Sequence, residues 1–117
     1  MSRVMDVRVG TAAEALDRFE DTWNRAAEGG APAPSSVLSF PDLPALLKAL
    51  TPARWRMLER LRAEGPMTIF ALAKRLGRDY KNVHTDITRF ASLGLVERRR
   101  DGLVAVPWDA VRAELRL

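Results

Sequence analysis

The sequence contains no cysteine, and its 117 residues include a single histidine, His84. Without thiols there is no disulfide framework, no thiolate nucleophile and no zinc site that needs sulfur. One histidine also leaves too few ligands for a histidine-rich metal centre. The chain has no Gly-rich phosphate loop, no defensible Ser–His–Asp set and no isolated carboxylate pair. We therefore expect no enzymatic activity, no catalytic residue, no metal and no cofactor.

Long apolar runs are also missing, so the sequence predicts no membrane-spanning segment. The first ten residues, MSRVMDVRVG, lack the hydrophobic region of a signal peptide. A cytoplasmic location without a membrane partner is therefore expected. The composition, 47% hydrophobic and 29% charged, is ordinary for a globular protein of this length.

Charge is distributed unevenly along the chain. Residues 1–50 carry five Lys or Arg against seven Asp or Glu, a net charge of −2. Residues 51–117 carry fourteen against eight, a net charge of +6. This asymmetry indicates a C-terminal part that faces a polyanion and an N-terminal part with another role.

The N-terminal part is predicted to contain a strand and an amphipathic helix. Residues 3–9 place Val4, Val7 and Val9 among polar residues in an imperfect alternation, which predicts a short strand. Thr11 and Glu14 have capping-box spacing, and a helix should follow to about residue 28. Its apolar stripe includes Leu16, Phe19 and Trp23. These three residues either form a dimer or partner interface or pack against the rest of the chain.

Residues 29–36, GGAPAPSS, have the composition of a linker. This linker predicts two domains, residues 1–36 and residues 37–117. The second domain should begin with a short strand at residues 37–40. A short helix over residues 41–50 follows, with its leucines on one side.

Three further helices are predicted from residue 51. Their N-caps are Thr51, Thr68 and Asp79, and glycines end them. In the first, Trp55, Leu58 and Leu61 share one face. The tryptophans Trp55 and Trp108 are expected in the core or a dimer interface. In the third helix the residues expected to face the core are Val83, Ile87, Phe90 and Ala91.

A basic hairpin should follow these helices. Residues 95–100 and 103–106 are predicted strands around a two-residue turn, Asp101-Gly102. Residues 108–115 are expected to form a last helical turn or two, with Val111 and Leu115 on its apolar side. The fold class is thus mainly α with a small β component. The predicted architecture is a winged helix-turn-helix over 37–117 with an N-terminal strand–helix extension.

Residues 67–102, MTIFALAKRLGRDYKNVHTDITRFASLGLVERRRDG, are similar to the DNA-reading part of MarR- and ArsR-like prokaryotic regulators. Over most of its length the chain resembles a small family of MarR-like winged helix-turn-helix DNA-binding proteins. The matching stretches include ALAKRLGRDYKNVHTDI, LGLVERRRDG and VPWDAVRAEL. Members often lie beside a small toxin gene. The resemblance therefore implies an antitoxin that regulates its own operon and has a toxin protein as a partner.

The third helix and the hairpin supply the predicted DNA contacts, because a helix fits the major groove and a wing lies along the backbone. Asn82 and Thr85 have side chains suited to base edges. His84 is expected to contact phosphate or to be partly buried, and Tyr80 to contact phosphate or pack against the turn. The predicted DNA-binding residues are Arg78, Tyr80, Lys81, Asn82, His84, Thr85, Thr88, Arg89, Arg98, Arg99 and Arg100. The three consecutive arginines alternate strand faces, so one should face solvent or pair with a carboxylate.

The sequence therefore predicts a sequence-specific regulator that binds double-stranded DNA. We expect a homodimer, since one recognition helix reads too few base pairs for useful specificity. The alternative is a winged-helix module that binds protein and not DNA, because a fold does not determine a function.

Overall fold

The computed structural model of the chain describes residues 2–10 and 36–115. Four helices and five strands lie in this part of the chain. In chain order they are β1 (Val4–Val9), β2 (Ser36–Phe40), α1 (Leu43–Ala49), α2 (Pro52–Glu64), α3 (Ile69–Leu76), α4 (Tyr80–Ser92), β3 (Glu97–Arg98), β4 (Val104–Ala105) and β5 (Ala110–Glu114). Helices account for more residues than strands, which confirms the predicted mainly α class with a smaller β component.

These elements form two compact units. One, the sheet unit, contains β1, β2, α1 and β5; the other, the helical unit, contains α2 to α4, β3 and β4. The predicted boundary after residue 36 therefore falls inside the sheet unit, because β2 pairs with β1 along its whole length. The observed boundaries lie between residues 3 and 4, 49 and 50, and 109 and 110, so the helical unit also includes residues 2–3 and extends to residue 109. The predicted helix at residues 11–28, with Leu16, Phe19 and Trp23, lies outside the described residues, as does most of the linker.

The sheet unit is built on three parallel strands in the order β2–β1–β5. Val7 lies opposite Leu38 on one side and Ala113 on the other. Met5, Val7 and Leu38 are buried, as is Leu46 of α1. Met5 and Val7 lie two residues apart on the central strand, so their side chains share one face of the sheet, and this face is the buried one.

The predicted C-terminal helix is wrong: residues 110–114 form β5, which pairs with β1. The four-residue spacing of Val111 and Leu115 resembled a helical stripe, but Leu115 is exposed. Strand formation depends on an available partner more than on local propensity. Here β1 provides that partner, and Arg112 pairs with Asp6 across the register at 3.0 Å.

The helical unit begins each of its long helices at the predicted cap. The side-chain oxygens of Thr51, Thr68 and Asp79 accept the N–H groups of Arg54, Ala71 and Asn82, respectively. Gly77 ends α3 with φ of 63°, a left-handed conformation that favours glycine. The three residues 77–79 are therefore all that joins α3 to α4.

Of the two tryptophans expected in the core or a dimer interface, Trp108 lies in the core of this unit and Trp55 does not. Leu58 and Leu61 are buried as expected, but Trp55 is 39% exposed and Met57 is fully buried. The buried stripe of α2 thus lies nearer to Met57 than the spacing of Trp55, Leu58 and Leu61 suggested. Trp108 is buried, and its indole N–H donates to the Gly94 carbonyl at 2.8 Å.

The hairpin is present but shorter than predicted. Its paired residues are Glu97–Arg98 and Val104–Ala105, and Met67 adds a bridge to Val104. Arg99 N–H donates to the Leu103 carbonyl, so the loop contains three residues and not two. Gly102 closes it with φ of 83°, the left-handed residue typical of such loops.

Asp109 connects the start of the helical unit to its end. Its carboxylate accepts the Arg3 N–H at 2.8 Å and also pairs with Arg62, while its own N–H donates to the Arg3 carbonyl. The hydrogen bond from the Arg3 backbone, followed by the one from Arg62, holds the pKa of Asp109 below its usual 3.8. No helix among the described residues is long and apolar enough to cross a membrane.

Candidate nucleic-acid interface

Helix α4 has one apolar face and one polar face, as its sequence predicts. Val83, Ile87 and Phe90 are fully buried, and Ala91 is half-buried. The opposite face is exposed along three turns. The exposed residues are Tyr80, Lys81, Asn82, His84, Thr85, Thr88 and Arg89. All seven predicted site residues of this helix therefore lie on one accessible surface.

Asp86 is the only acidic residue of α4, and it is buried. Its two carboxylate oxygens pair with Arg54 Nε at 3.0 Å and Arg78 Nη2 at 2.8 Å. Both arginines are themselves about three-quarters buried. Sequence reasoning missed this cluster, although the spacing of Asp86 beside Val83, Ile87 and Phe90 already placed it on the inner face.

Arg78 is a predicted DNA-binding residue, but its side chain is only 28% exposed in the structure. Its guanidinium is turned towards Asp86, and its Nη1 is buried without a hydrogen-bond partner in the described part of the chain. The local reason is electrostatic, because a buried carboxylate needs a compensating cation. Arg78 is therefore an internal partner of α4.

The three consecutive arginines of the hairpin have three different environments. Arg98 Nη2 donates to the Thr88 hydroxyl at 2.6 Å, which links β3 to α4. Arg99 lies 3.4 Å from Asp101, so the expected carboxylate pairing of one arginine is found. Arg100 lies in the loop, exposed, and pairs with no carboxylate of the described residues.

Two depressions flank the exposed face of α4. A cleft of about 310 Å³ lies beside Asn82 and Thr85, and Arg54, Arg78 and Asp86 also line it. A shallower one of about 390 Å³ follows the helix; its lining residues are His84, Thr85, Thr88, Arg89 and Ser92. The Thr85 hydroxyl donates to the Lys81 carbonyl at 3.0 Å, which fixes its rotamer.

Elsewhere in the helical unit several arginines are neutralised by carboxylates. Arg60 and Arg75 both meet Glu64, at 3.3 and 2.5 Å. By contrast, Lys81 and Arg89 on α4 have no carboxylate within ion-pair distance in residues 2–10 and 36–115. Lys81 and Arg89 of α4 and Arg100 of the hairpin loop therefore present charge that no carboxylate of the described residues neutralises, as do Arg56 of α2 and Lys74 of α3.

A cluster of exposed rings lies at the N-terminal end of α4. Phe70 of α3 is 60% exposed and Tyr80 is 48% exposed, with ring centroids 6.4 Å apart. The His84 ring follows, 5.9 Å from that of Tyr80, and Lys74 Nζ lies 5.3 Å from the Phe70 ring. The sequence analysis did not identify Phe70 as a site residue. Its position outside the apolar stripe of α3 could have indicated that its ring is exposed.

Comparison with known protein families assigns the chain to one of them. A family model described as HVO_A0114 matches residues 49–113, which is more than half of the chain. The chain belongs to the HVO_A0114 family. The matched region contains the whole of α2, α3, α4 and the hairpin, together with most of β5. No curated protein matches this HVO_A0114-family chain.

Proposed function

We propose that this HVO_A0114-family protein is a transcriptional regulator that binds duplex DNA sequence-specifically through α4 and the β3–β4 hairpin. The sorting of charge on α4 carries the proposal. Its acidic residue, Asp86, is buried between two arginines, whereas its exposed face presents Lys81 and Arg89 among amide and hydroxyl groups. A polyanion is the partner that such a face attracts.

In this proposal α2, α3, α4 and the hairpin act as a winged helix-turn-helix, as the MarR-like resemblance implies. Helix α4 enters the major groove, where Asn82 and Thr85 reach base edges. The hairpin lies against the backbone, with Arg100 on phosphate. Arg98 holds Thr88 in position, and Arg78 acts indirectly by fixing Asp86.

A homodimer and an antitoxin role complete the proposal. Two copies of α4 are needed because one reads too few base pairs to locate a site in a genome. The antitoxin role, with a toxin encoded by a neighbouring gene, rests on the resemblance alone. Leu16, Phe19 and Trp23 remain the predicted dimer or toxin contacts.

The second candidate is a module that binds protein through the same surface. The exposed Phe70 and Tyr80 rings favour it, since large exposed apolar residues often mark protein interfaces. Lys81, which pairs with no carboxylate of the described residues, favours DNA, because protein-binding surfaces are depleted in lysine.

Fluorescence anisotropy with the full chain separates the two candidates. The probes are the duplex upstream of its own gene and a scrambled duplex of equal composition, each across a salt series. We expect tighter binding to the native duplex and an affinity that falls steeply with salt. Equal weak binding to both, or none, would favour the protein-binding module.

The variant Asn82→Ala tests base reading directly. We expect a loss of about 1–3 kcal/mol on the preferred duplex and little change on the scrambled one. Ser92→Ala is the matched control, because Ser92 lies at the far end of the same exposed face and its hydroxyl donates to the Arg89 carbonyl. An equal loss on both duplexes would contradict a base contact by Asn82.

A further inference from the structure

The rings of Phe70, Tyr80 and His84 have no assigned base contact in the proposed function, although two of them are large and exposed. They form one continuous strip from α3 onto α4, with centroid separations of 6.4 and 5.9 Å. On α4 the strip continues one turn further to Thr88, which holds Arg98 of the hairpin. It therefore runs along the side of the proposed recognition helix from its N-terminal end.

The surroundings of this aromatic strip are positively charged. Lys74 Nζ lies 5.3 Å from the Phe70 ring, and Lys81 follows Tyr80 directly in α4. The nearby carboxylate, Asp79, caps α4 and offsets only one of these two lysine charges. Apolar rings framed by cations suit a ligand that is itself apolar in places and strongly anionic around them.

Duplex DNA has one such apolar group in its major groove, the C5-methyl of thymine, which lies between rows of phosphates. We propose that the aromatic strip, chiefly Phe70 and Tyr80, contacts thymine methyl groups and so makes the protein prefer thymine at defined positions of its site. This inference rests on the proposed function, because it requires α4 to lie in the major groove. It adds two specificity-determining residues to the polar readers Asn82 and Thr85.

The test removes the methyl group from the DNA and the ring from the protein in turn. The full chain first selects its preferred duplex from a random library, and that duplex is resynthesised with deoxyuridine at each thymidine singly. Burial of one methyl group predicts that uracil weakens wild-type binding about fourfold at one or two positions in each half-site. Replacing thymine with uracil at the same DNA positions should not change the affinity of the Phe70→Ala or Tyr80→Ala variant, whichever lacks the ring that contacts that methyl group.

Two further variants sharpen the readout. Tyr80→Phe keeps the ring and should retain the preference of the wild type for thymine over uracil. Trp55→Ala removes an exposed aromatic residue of α2, which lies off the strip, and should also leave that preference unchanged. Since Phe70, Tyr80 and Trp55 are all exposed, none of these variants is expected to prevent folding.

The outcomes distinguish this inference from the proposed function. If the protein selects a duplex but binds its uracil forms equally well, the methyl contact is refuted and DNA binding stands. A preference for thymine that survives in both Phe70→Ala and Tyr80→Ala would assign the contact to other residues and equally refute the inference. If no duplex is enriched at all, both proposals fall and the strip becomes the candidate protein interface.

Discussion

Two carboxylates of the helical unit each lie between two arginines, but in different environments. Asp86, on the inner side of α4, has a side chain only 7% exposed. Glu64, at the end of α2, has a side chain 27% exposed and pairs with arginines that are about half exposed. Water screens the second cluster more strongly than the first. The same chemistry therefore stabilises the position of a helix in one region and merely neutralises surface charge in the other.

The basic residues of the chain likewise divide into those that pair with carboxylates and those that do not. Residues 51–117 carry a net charge of +6, yet many of their arginines already pair with carboxylates. The cations that remain without such partners in the described ranges include Lys81, Arg89 and Arg100. Pairing, and not the total charge, identifies the surface that is available to a polyanion.

The largest expected effect is on stability. Asp86→Ala leaves two partly buried guanidinium groups without a carboxylate, and should lower the free energy of unfolding by about 2 kcal/mol. This value is below that of a fully buried pair, because both arginines retain some contact with water. Glu64→Ala is the matched change and should cost about 0.5 kcal/mol or less. Urea denaturation at pH 7 measures both, and equal losses would remove the distinction between the clusters.

The second prediction concerns DNA affinity. The double variant Lys81→Gln with Arg89→Gln should weaken binding and make the slope of log K against log salt shallower by about 2, since two phosphate contacts are lost. Arg60→Gln with Arg75→Gln removes the same charge from the paired region. Its slope should remain close to that of the wild type. Similar slopes for both double variants would mean that net charge alone drives binding.

The smallest expected effect tests a third carboxylate, Asp109. Its pKa is lowered in the folded state, so its contribution to stability is full above the unfolded pKa of 3.8 and is lost as the pH falls through the folded pKa. The stability difference between the wild type and Asp109→Asn should therefore be constant from pH 7 to 5 and shrink below about pH 4. Urea midpoints at pH 7, 5 and 3 measure it. A difference that grows towards acid pH would have the wrong sign.

Local signals in the sequence were sufficient for most of the helical unit. Caps at Thr51, Thr68 and Asp79 located three helices, and hydrophobic spacing identified the buried face of α4. These signals succeed because a cap and an amphipathic stripe act within one or two turns. The same spacing correctly predicted which polar side chains of α4 are exposed.

Longer-range features were not predictable in the same way. The segment after Trp108 became a strand because β1, more than a hundred residues away, has an edge with which it pairs. Asp86 meets Arg54 across 32 positions in the chain, and Phe70 meets Tyr80 across ten. No local pattern encodes such pairs, since they depend on how the helices pack.

The sequence by itself thus determined the helices of residues 51–92, their caps, the basic hairpin and the polar face of α4, because each depends on neighbouring residues. Only the tertiary structure decided that residues 110–114 join a parallel sheet and that Arg78 faces inward. It also decided which cations lack a carboxylate partner among the described residues and that Phe70, Tyr80 and His84 form one strip. Each of these results depends on contacts between residues from separate elements, whose energies are realised only when the chain is folded.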